Sequence, residues 1–354
     1  MALLGPNIEH KVSLEEMLAG RARTVVWIPD SNSFSAINET THGRRLSKMT
    51  DAIIGTRSKD YLDHALSIID ENSIDTVIGY WGSIPFPDLI ALKKKRPHLK
   101  MVTFLLCFPL SLNSLGIRKQ LFGLGNVGRY LTGIIYPSSA MASYVARKVG
   151  LSKNVKSVIV PPAWSEEFLE DITTDASLEN PNLVFLGRTD LSGVTIHPAD
   201  DIRSIMLNLM DAGIHLNHAF SPETKDNHRH RHLFEPRPVR PLIHFASRFD
   251  ASLIVYNLAH CGDTSRFENT VPDRLLSSVA AGLPIALPVE GYSGCKEYLK
   301  DYGATFTFRS PEHLKSLLSD TDRVRELKGV AVSNRHHYTA QKVGRNLSSF
   351  LLSL

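Results

Sequence analysis

Apolar residues recur along the first half of the chain in two patterns, short buried runs and helical repeats. Residues 24–28 read as an opening strand, and residues 59–72 place apolar side chains at helical spacing. The continuous apolar run 101–108, stopped by Pro109, is typical of a central parallel strand covered on both faces. This alternation predicts parallel βαβ units with right-handed crossovers.

The same rhythm continues to the end of the chain, with Ser138 or Ser139 as the expected cap of one helix. The further predicted strands are 75–80, 133–136, 155–160, 183–186, 214–216, 252–258 and 284–288. The further predicted helices are 87–95, 138–149, 200–212, 239–248, 272–281, 311–318, 321–330 and 339–354. The pattern therefore predicts two doubly wound α/β domains, with the acidic, polar stretch 166–180 as their linker and 221–232 as a polar loop.

Composition narrows the class of protein. A length of 354 residues suits two domains, and 43% apolar with 21% charged residues is an ordinary globular balance. The formal net charge of +4 gives little support for nucleic acid but fits anionic small molecules or an acidic membrane surface. Three cysteines without CxxC spacing argue against a disulfide framework or a zinc site. The same cysteine usage makes a reducing cytoplasm the expected compartment. The first residues do not resemble a signal peptide, and no apolar run is long enough to span a membrane.

The segment 269–288 carries the chemistry. Thr270 and Asp273 have the spacing of a capping box, which predicts Thr270 as the N-cap of a helix. A helix start offers unpaired N–H groups and a positive dipole end to a phosphate, and Arg274 would add a full charge. Gly282 suits the left-handed position that ends the helix. An ordinary βαβ segment without a ligand is the alternative.

This segment resembles a known one. Residues 272–288 (PDRLLSSVAAGLPIALP) are similar to the donor-site segment of the large retaining family of GT-B glycosyltransferases, the family 4-like glycosyl transferases group 1. Residues 182–188 (NLVFLGR) resemble the first strand of that family's C-terminal domain, ending in Gly187 and Arg188. The stretches 133–168 and 249–258 match in order as well, so the similarity is collinear over about residues 70–290.

The resemblance implies a GT-B architecture, two Rossmann-like domains facing an inter-domain cleft. Residues 1–165 would be the N-terminal acceptor-side domain, and 166–180 the linker. Residues 181–335 would bind the nucleotide sugar, and the last helix, 336–354, would cross back to the N-terminal domain.

One position departs from the family. The family usually carries two glutamates separated by seven residues, and Ser277 stands where the second, ribose-binding glutamate would be. Glu268, slipped by one residue beside Asn269, is the candidate for the role of the first. A serine offers only a neutral hydrogen bond, so the ribose is held otherwise, the donor is unusual, or activity is lost.

The activity implied is transfer of a sugar from a nucleoside-diphosphate sugar to a hydroxyl of a glycan or glycoconjugate, with retention. Arg188, Arg274 and Glu268 are the expected catalytic residues. No metal or other cofactor is expected, because these arginines would neutralise the diphosphate. The expected donor-binding residues are Gly187, Arg266, Asn269, Thr270, Val271 and Ser277, and the expected acceptor-side residues are Glu39, His42 and Arg44 in the region after the opening strand.

Alternatives stay open at this stage. The chain could be a catalytically silent sugar-nucleotide-binding protein or partner subunit, or an epimerase or phosphorylase of the same fold. The GxGxxG stretch 123–128 is read as a flexible connection rather than a nucleotide loop. His228, His230 and His232 are read as a solvated loop rather than a metal site. The basic stretches 93–100 and 117–131 suit either solvated helix ends or peripheral contact with anionic lipid.

Overall fold

The computed structural model describes all residues except 7, 21, 38–56, 112, 170–181, 188–197 and 221–226. The chain divides into two compact units. Unit 1 comprises Met1–Pro162 together with Ala340–Leu354, and unit 2 comprises Ala163–Thr339. The chain therefore passes from one unit to the other twice, after Pro162 and after Thr339.

Unit 1 is built on a parallel sheet in the order β2-β1-β3-β4-β5-β6. Its strands are β1 Ala2–Gly5, β2 Val26–Pro29, β3 Thr76–Tyr80, β4 Lys100–Phe104, β5 Gly133–Tyr136 and β6 Lys156–Ile159. Its helices in the first part of the chain are α1 Glu9–Leu18, α2 Ser31–Ile37, α3 Lys59–Glu71, α4 Phe86–Lys95, α5 Ser114–Val127 and α6 Ser139–Lys148.

The predicted opening strand is in fact the second strand. β1 precedes it, is fully buried and pairs with β2 on one side and β3 on the other. Of the two proposed caps for α6, Ser138 is the one used, since its hydroxyl accepts a hydrogen bond from the Met141 N–H at 3.1 Å.

The prediction of a flexible connection at 123–128 is wrong, because these residues form the last turns of α5 and its C-cap. Asn113 caps the start of this helix by accepting the Gly116 N–H at 2.7 Å. Ile117, Leu124 and Val127 are buried, so the apolar face outweighs the low helix propensity of the glycines.

Unit 2 repeats the design with the order β12-β11-β10-β7-β8-β9, again with every pair parallel. Its strands are β7 Asn182–Phe185, β8 His215–Ala219, β9 Arg231–Phe234, β10 Ala251–Leu253, β11 Ile285–Pro288 and β12 Thr305–Phe308. Its helices are α7 Arg203–Asp211, α8 Val239–Ala246, α9 Ser265–Asn269, α10 Asp273–Ala280, α11 Ser293–Tyr298, α12 Pro311–Ser319 and α13 Thr321–Asn334. The last helix, α14 Ala340–Ser353, belongs to unit 1 and packs on α1.

The predicted polar loop 221–232 is wrong at its end, because β9 begins at Arg231. This edge strand has no fully buried residue, so its sequence lacks the apolar run of an interior strand. The remaining strands of the sheet enclose a continuous core with α7, α10 and α13. Two doubly wound parallel sheets with flanking helices confirm the predicted fold class.

Candidate functional site

The topological switch point of unit 2 lies between β7 and β10. From β7 the chain proceeds to β8 on one side and returns to β10 on the other. In doubly wound sheets, ligands bind beyond the carboxyl ends of the strands at this point, where loops leave in opposite directions. Here the carboxyl ends are continued by Gly187 after β7 and by Val255 and Tyr256 after β10.

Arg274, in the first turn of α10, is fixed at this switch point. Its Nη2 donates to the Val255 carbonyl at 2.8 Å. Its guanidinium lies 3.9 Å from the centre of the Tyr256 ring and 5.2 Å from that of Phe185. Among the described residues, the buried Nε has no hydrogen-bond partner. A half-buried cation with an unused donor and one constrained orientation is suited to an anionic ligand.

Gly187 allows this close approach. A Cβ at Gly187 would stand 2.8 Å from Arg274 Nη1 and would overlap the Phe185 ring. The structure thus brings together Gly187 and Arg274, two of the residues predicted from the sequence. Arg188, the third predicted residue of this group, lies outside the described residues.

Aromatic residues surround the arginine. The Tyr256 ring packs at 4.3 Å against Phe267 and stacks at 6.2 Å with Tyr292. The Tyr292 hydroxyl accepts the Tyr256 N–H at 2.8 Å, and burial raises the pKa of Tyr292 to about 12, which keeps the phenol neutral. Sequence reasoning missed Tyr256 and Tyr292. The signal available was the glycine-flanked run Gly291-Tyr292-Ser293-Gly294 directly after a strand.

Glu268 lies on α9 and faces the loop between β11 and α11. Its Oε2 accepts the Ser293 hydroxyl at 3.4 Å, and its Oε1 lies 2.7 Å from the position of a Cβ on Gly291. Gly291 has φ of +72°, so glycine is favoured there by both backbone and space. Arg266, on the same short helix, has its guanidinium 5.7 Å from the Phe267 ring.

The capping box predicted at Thr270 is wrong. Thr270 instead ends α9, with its N–H donating to Arg266 O at 3.1 Å, and the N-cap of α10 is Pro272. The extended conformation of Pro272 delays the helix by two residues. Asn269, Thr270 and Val271 are buried, and within the described part of the chain the Thr270 hydroxyl lacks a partner. The predicted close of the helix is confirmed, because Gly282 has φ of +66°.

Ser277 is buried and hydrogen-bonded to Trp164. Its side chain is 4% exposed, and its Oγ accepts the indole N–H of Trp164 at 3.1 Å. Trp164 is itself 2% exposed. A tryptophan therefore lies against the position that carries a glutamate in the family. The donor-binding role of Ser277 stays a prediction, as do those of the other site residues.

The switch point of unit 1 lies between β1 and β3. The Tyr80 hydroxyl donates to Pro6 O across it, and the Trp27 indole N–H donates to Gly5 O at 3.0 Å. Directly after β3, Trp81 has φ of +76°, a strained conformation for a side chain of this size. Its ring lies 5.3 Å from that of His10. The predicted acceptor-side residues Glu39, His42 and Arg44 lie outside the described residues.

Two remaining sequence features concern metals and membranes. His215 contacts His232 at 3.0 Å and His230 at 3.2 Å, while His228 contacts Asp211 at 3.2 Å. In the described ranges, these and other His, Cys, Asp and Glu residues form no group of three arranged to hold a metal ion. Over the same ranges, no helix combines the length and apolar character needed to cross a bilayer.

Comparison with known proteins places the fold. No protein-family model and no curated protein sequence matches the chain. Sucrose-phosphate synthase from Thermosynechococcus elongatus is similar with a TM-score of 0.71 at 10% identity, covering 99% of this chain and 98% of that one. Anabaena Alr3699/HepE, solved in complex with UDP, is similar with a TM-score of 0.66 at 13% identity, covering 100% and 99%. The chain has the GT-B fold.

Other GT-B fold proteins align equally completely. The lipopolysaccharide outer core galactosyltransferase WaaB is similar with a TM-score of 0.62 at 13% identity, covering 99% of both chains. The predicted resemblance to GT-B glycosyltransferases is therefore confirmed for the fold of the whole chain.

Proposed function

We propose that this protein transfers a sugar from a nucleoside-diphosphate sugar to a hydroxyl of a glycan or glycoconjugate, with retention at the anomeric carbon. The proposed sugar is a hexose. The observation that carries the proposal is the fixed guanidinium of Arg274 at the switch point between β7 and β10. A diphosphate bound beyond these strand ends would face a cation that is already oriented.

The chemistry requires stabilisation of the leaving group. As the bond from the anomeric carbon to the diphosphate breaks, its electron pair stays on the diphosphate oxygen. The acceptor oxygen bonds to the anomeric carbon and gives up its proton to the departing diphosphate. Arg274 and Arg188 are proposed to stabilise the new charge, so that no metal is required, and Glu268 to orient the donor sugar. A preoriented cation is effective here because it needs no reorganisation during the reaction.

Similar proteins support a uridine nucleotide as the first donor to test. Anabaena HepE has been solved with UDP, with UDP and glucose, and with UDP-glucose. Tyr256 is partly exposed next to Arg274, and we propose that its ring contacts the base or the sugar of the donor. The cytoplasm remains the proposed compartment, since Cys107, Cys261 and Cys295 are free thiols.

A thermal-shift screen with UDP, GDP, dTDP and ADP tests the donor site. A ligand present at about 100 times its Kd stabilises the folded state by about 2.7 kcal/mol. We expect one nucleoside diphosphate, UDP first, to raise the melting midpoint by about 5 °C or more. The matching nucleoside serves as the control and is expected to produce a far smaller shift, because it lacks the diphosphate. Absence of any shift with all four at millimolar concentration would contradict the proposal.

The acceptor is proposed to bind against unit 1, where Trp81 offers an aromatic surface next to the switch point. Stacking on an aromatic ring contributes about 0.5–1.5 kcal/mol beyond area burial. Trp81→Ala is therefore expected to raise the acceptor KM about tenfold and to leave the Kd of the nucleotide unchanged. Steady-state kinetics with varied acceptor, together with calorimetric titration of the nucleotide, measures both quantities. If Trp81→Ala changes the nucleotide Kd and leaves the acceptor KM unchanged, Trp81 contacts the donor and not the acceptor.

Ser277 favours a second candidate, a sugar-nucleotide-binding protein without turnover. The hydroxyl of this buried serine cannot supply the charge of a glutamate, and it already accepts a hydrogen bond from Trp164. Donor binding without either transfer or hydrolysis, over a broad panel of acceptors, would favour this candidate over the transferase.

A further inference from the structure

Charge is distributed very unevenly along the chain. Residues 89–165, which supply β4, α5, β5, α6 and β6 of unit 1, contain 12 lysines and arginines and no aspartate or glutamate. Since the whole chain has a formal net charge of only +4, the remaining residues are net acidic. A segment with one sign of charge creates a field that attracts anionic partners.

One face of α5 in this segment combines basic side chains with exposed apolar side chains. Leu115 is 78% exposed and Phe122 is 64% exposed, and both Arg118 and Lys119 between them are exposed. Positions i, i+3, i+4 and i+7 lie on one side of a helix, so the four residues form a single surface, here called the α5 face. The opposite side of α5 is the one that packs into the core, through Ile117, Leu124 and Val127.

A surface cavity of about 570 Å³ adjoins the α5 face. It lies between α5 and the turn after α6, and Phe122, Arg129 and Lys148 are among its lining residues. Gly125 and Gly150 keep the cavity open, because neither carries a side chain that would fill it. An aromatic side chain and two bases around one cavity offer partners to both parts of a phospholipid, its phosphate and the start of its acyl chains.

We propose that the α5 face and this cavity dock on the surface of a membrane containing anionic phospholipid. Leu115 and Phe122 enter the boundary between headgroups and acyl chains, and the surrounding bases contact lipid phosphates. A second copy of the chain is a poorer occupant, because pairing two such faces would bring like charges together. Docking does not depend on the donor site in unit 2, so it stands or falls independently of glycosyl transfer.

Vesicle co-sedimentation tests the proposal on the full chain. We expect binding to vesicles of phosphatidylcholine with one third phosphatidylglycerol, little binding to pure phosphatidylcholine, and release by high salt. Equal binding to both compositions, or binding to neither, would overturn the proposal. Competition with soluble glycerol phosphate distinguishes a site for a single headgroup from docking on the membrane surface. Full release of the protein from the vesicles by millimolar glycerol phosphate would also overturn the proposal.

Two double variants assign the surface. Arg118→Gln/Lys119→Gln is expected to weaken vesicle binding about 30-fold, since each base near an anionic surface contributes about 1 kcal/mol. Leu115→Ser/Phe122→Ser is expected to weaken it at least about tenfold, because two apolar side chains no longer enter the bilayer. All four side chains are exposed, so the melting midpoint should stay unchanged.

The matched controls lie in unit 2. Lys300→Gln/Arg309→Gln removes the same charge, and Phe220→Ser/Leu233→Ser removes an exposed aromatic and leucine pair. Both controls are expected to bind vesicles within about twofold of the unaltered protein. If the control variants lose as much vesicle binding as the α5 variants, the assignment is refuted. It is also refuted if the unaltered protein binds no vesicles and forms a dimer that Leu115→Ser/Phe122→Ser dissociates.

Discussion

Replacing Arg274 with glutamine is expected to weaken nucleoside-diphosphate binding by about 10- to 100-fold, because a hydrogen bond to a charged group contributes about 1.5–3 kcal/mol. If the chain turns over a donor, kcat should fall by about 100- to 1000-fold, since the positive charge acts most strongly on the departing diphosphate. Arg274 is only half-buried, so the variant should stay folded even though the Val255 carbonyl loses this donor, and its melting midpoint checks this. Calorimetric titration of the nucleotide and steady-state kinetics on the same preparation measure both effects.

Two further variants make the result specific. Arg325→Gln removes an exposed arginine of α13 that pairs with Asp322, and should leave nucleotide affinity unchanged. Gly187→Ala retains Arg274 but places a Cβ 2.8 Å from its Nη1 and against the Phe185 ring. Because this Cβ would lie 2.2 Å from the Phe185 ring and 2.8 Å from Arg274 Nη1, the ring and the guanidinium near it must both shift, and affinity should fall as in Arg274→Gln. Full affinity in both site variants would exclude a diphosphate at this switch point.

Ser277→Glu, which introduces the glutamate of the family that the chain resembles, is expected to destabilise the protein by about 3 kcal/mol or more. A longer side chain at this 4% exposed position would overlap Trp164, and its carboxylate would lose solvation. The expected loss is therefore largest at neutral pH and smaller at acid pH, where the buried carboxyl takes up a proton. Denaturant unfolding at two pH values measures it.

Ser277→Ala separates the two causes. It removes the partner of the Trp164 indole without adding volume or charge, and should cost about 1–2 kcal/mol independently of pH. A Ser277→Glu protein that is as stable as the parent and binds nucleotide more tightly would mean that the site readily accepts the family glutamate.

Most of the fold could be predicted because the apolar pattern of most strands and helices is clear enough to be recognised in the sequence. β5 was predicted at its observed bounds, and α4, α6 and α10 within one or two residues. β1 was missed although all four of its residues are buried. β9 was missed because an edge strand without a buried face has no apolar pattern.

The two residues of the candidate site that were predicted and are found together, Gly187 and Arg274, each lie in a short segment with a recognisable motif. The motif that begins at Pro272 identified Arg274 because the charge and the helix start are neighbours in sequence. The Tyr256–Tyr292 contact joins residues 36 positions apart, and only strand pairing brings them together. The error at Thr270 has a local reason, since Thr270 is the C-cap of α9 and two residues separate it from the start of α10 at Asp273.

The return of α14 to unit 1 sets the order in which the protein can be completed. Leu347, Phe350 and Leu351 of this helix are buried, and Phe350 lies against Gly133 of β5. During synthesis, all of unit 2 emerges before these side chains exist, so the inserted segment can finish folding while the first-made unit still exposes an apolar gap. If synthesis stops just before Ala340, the protein therefore has a complete second unit and an unfinished first one.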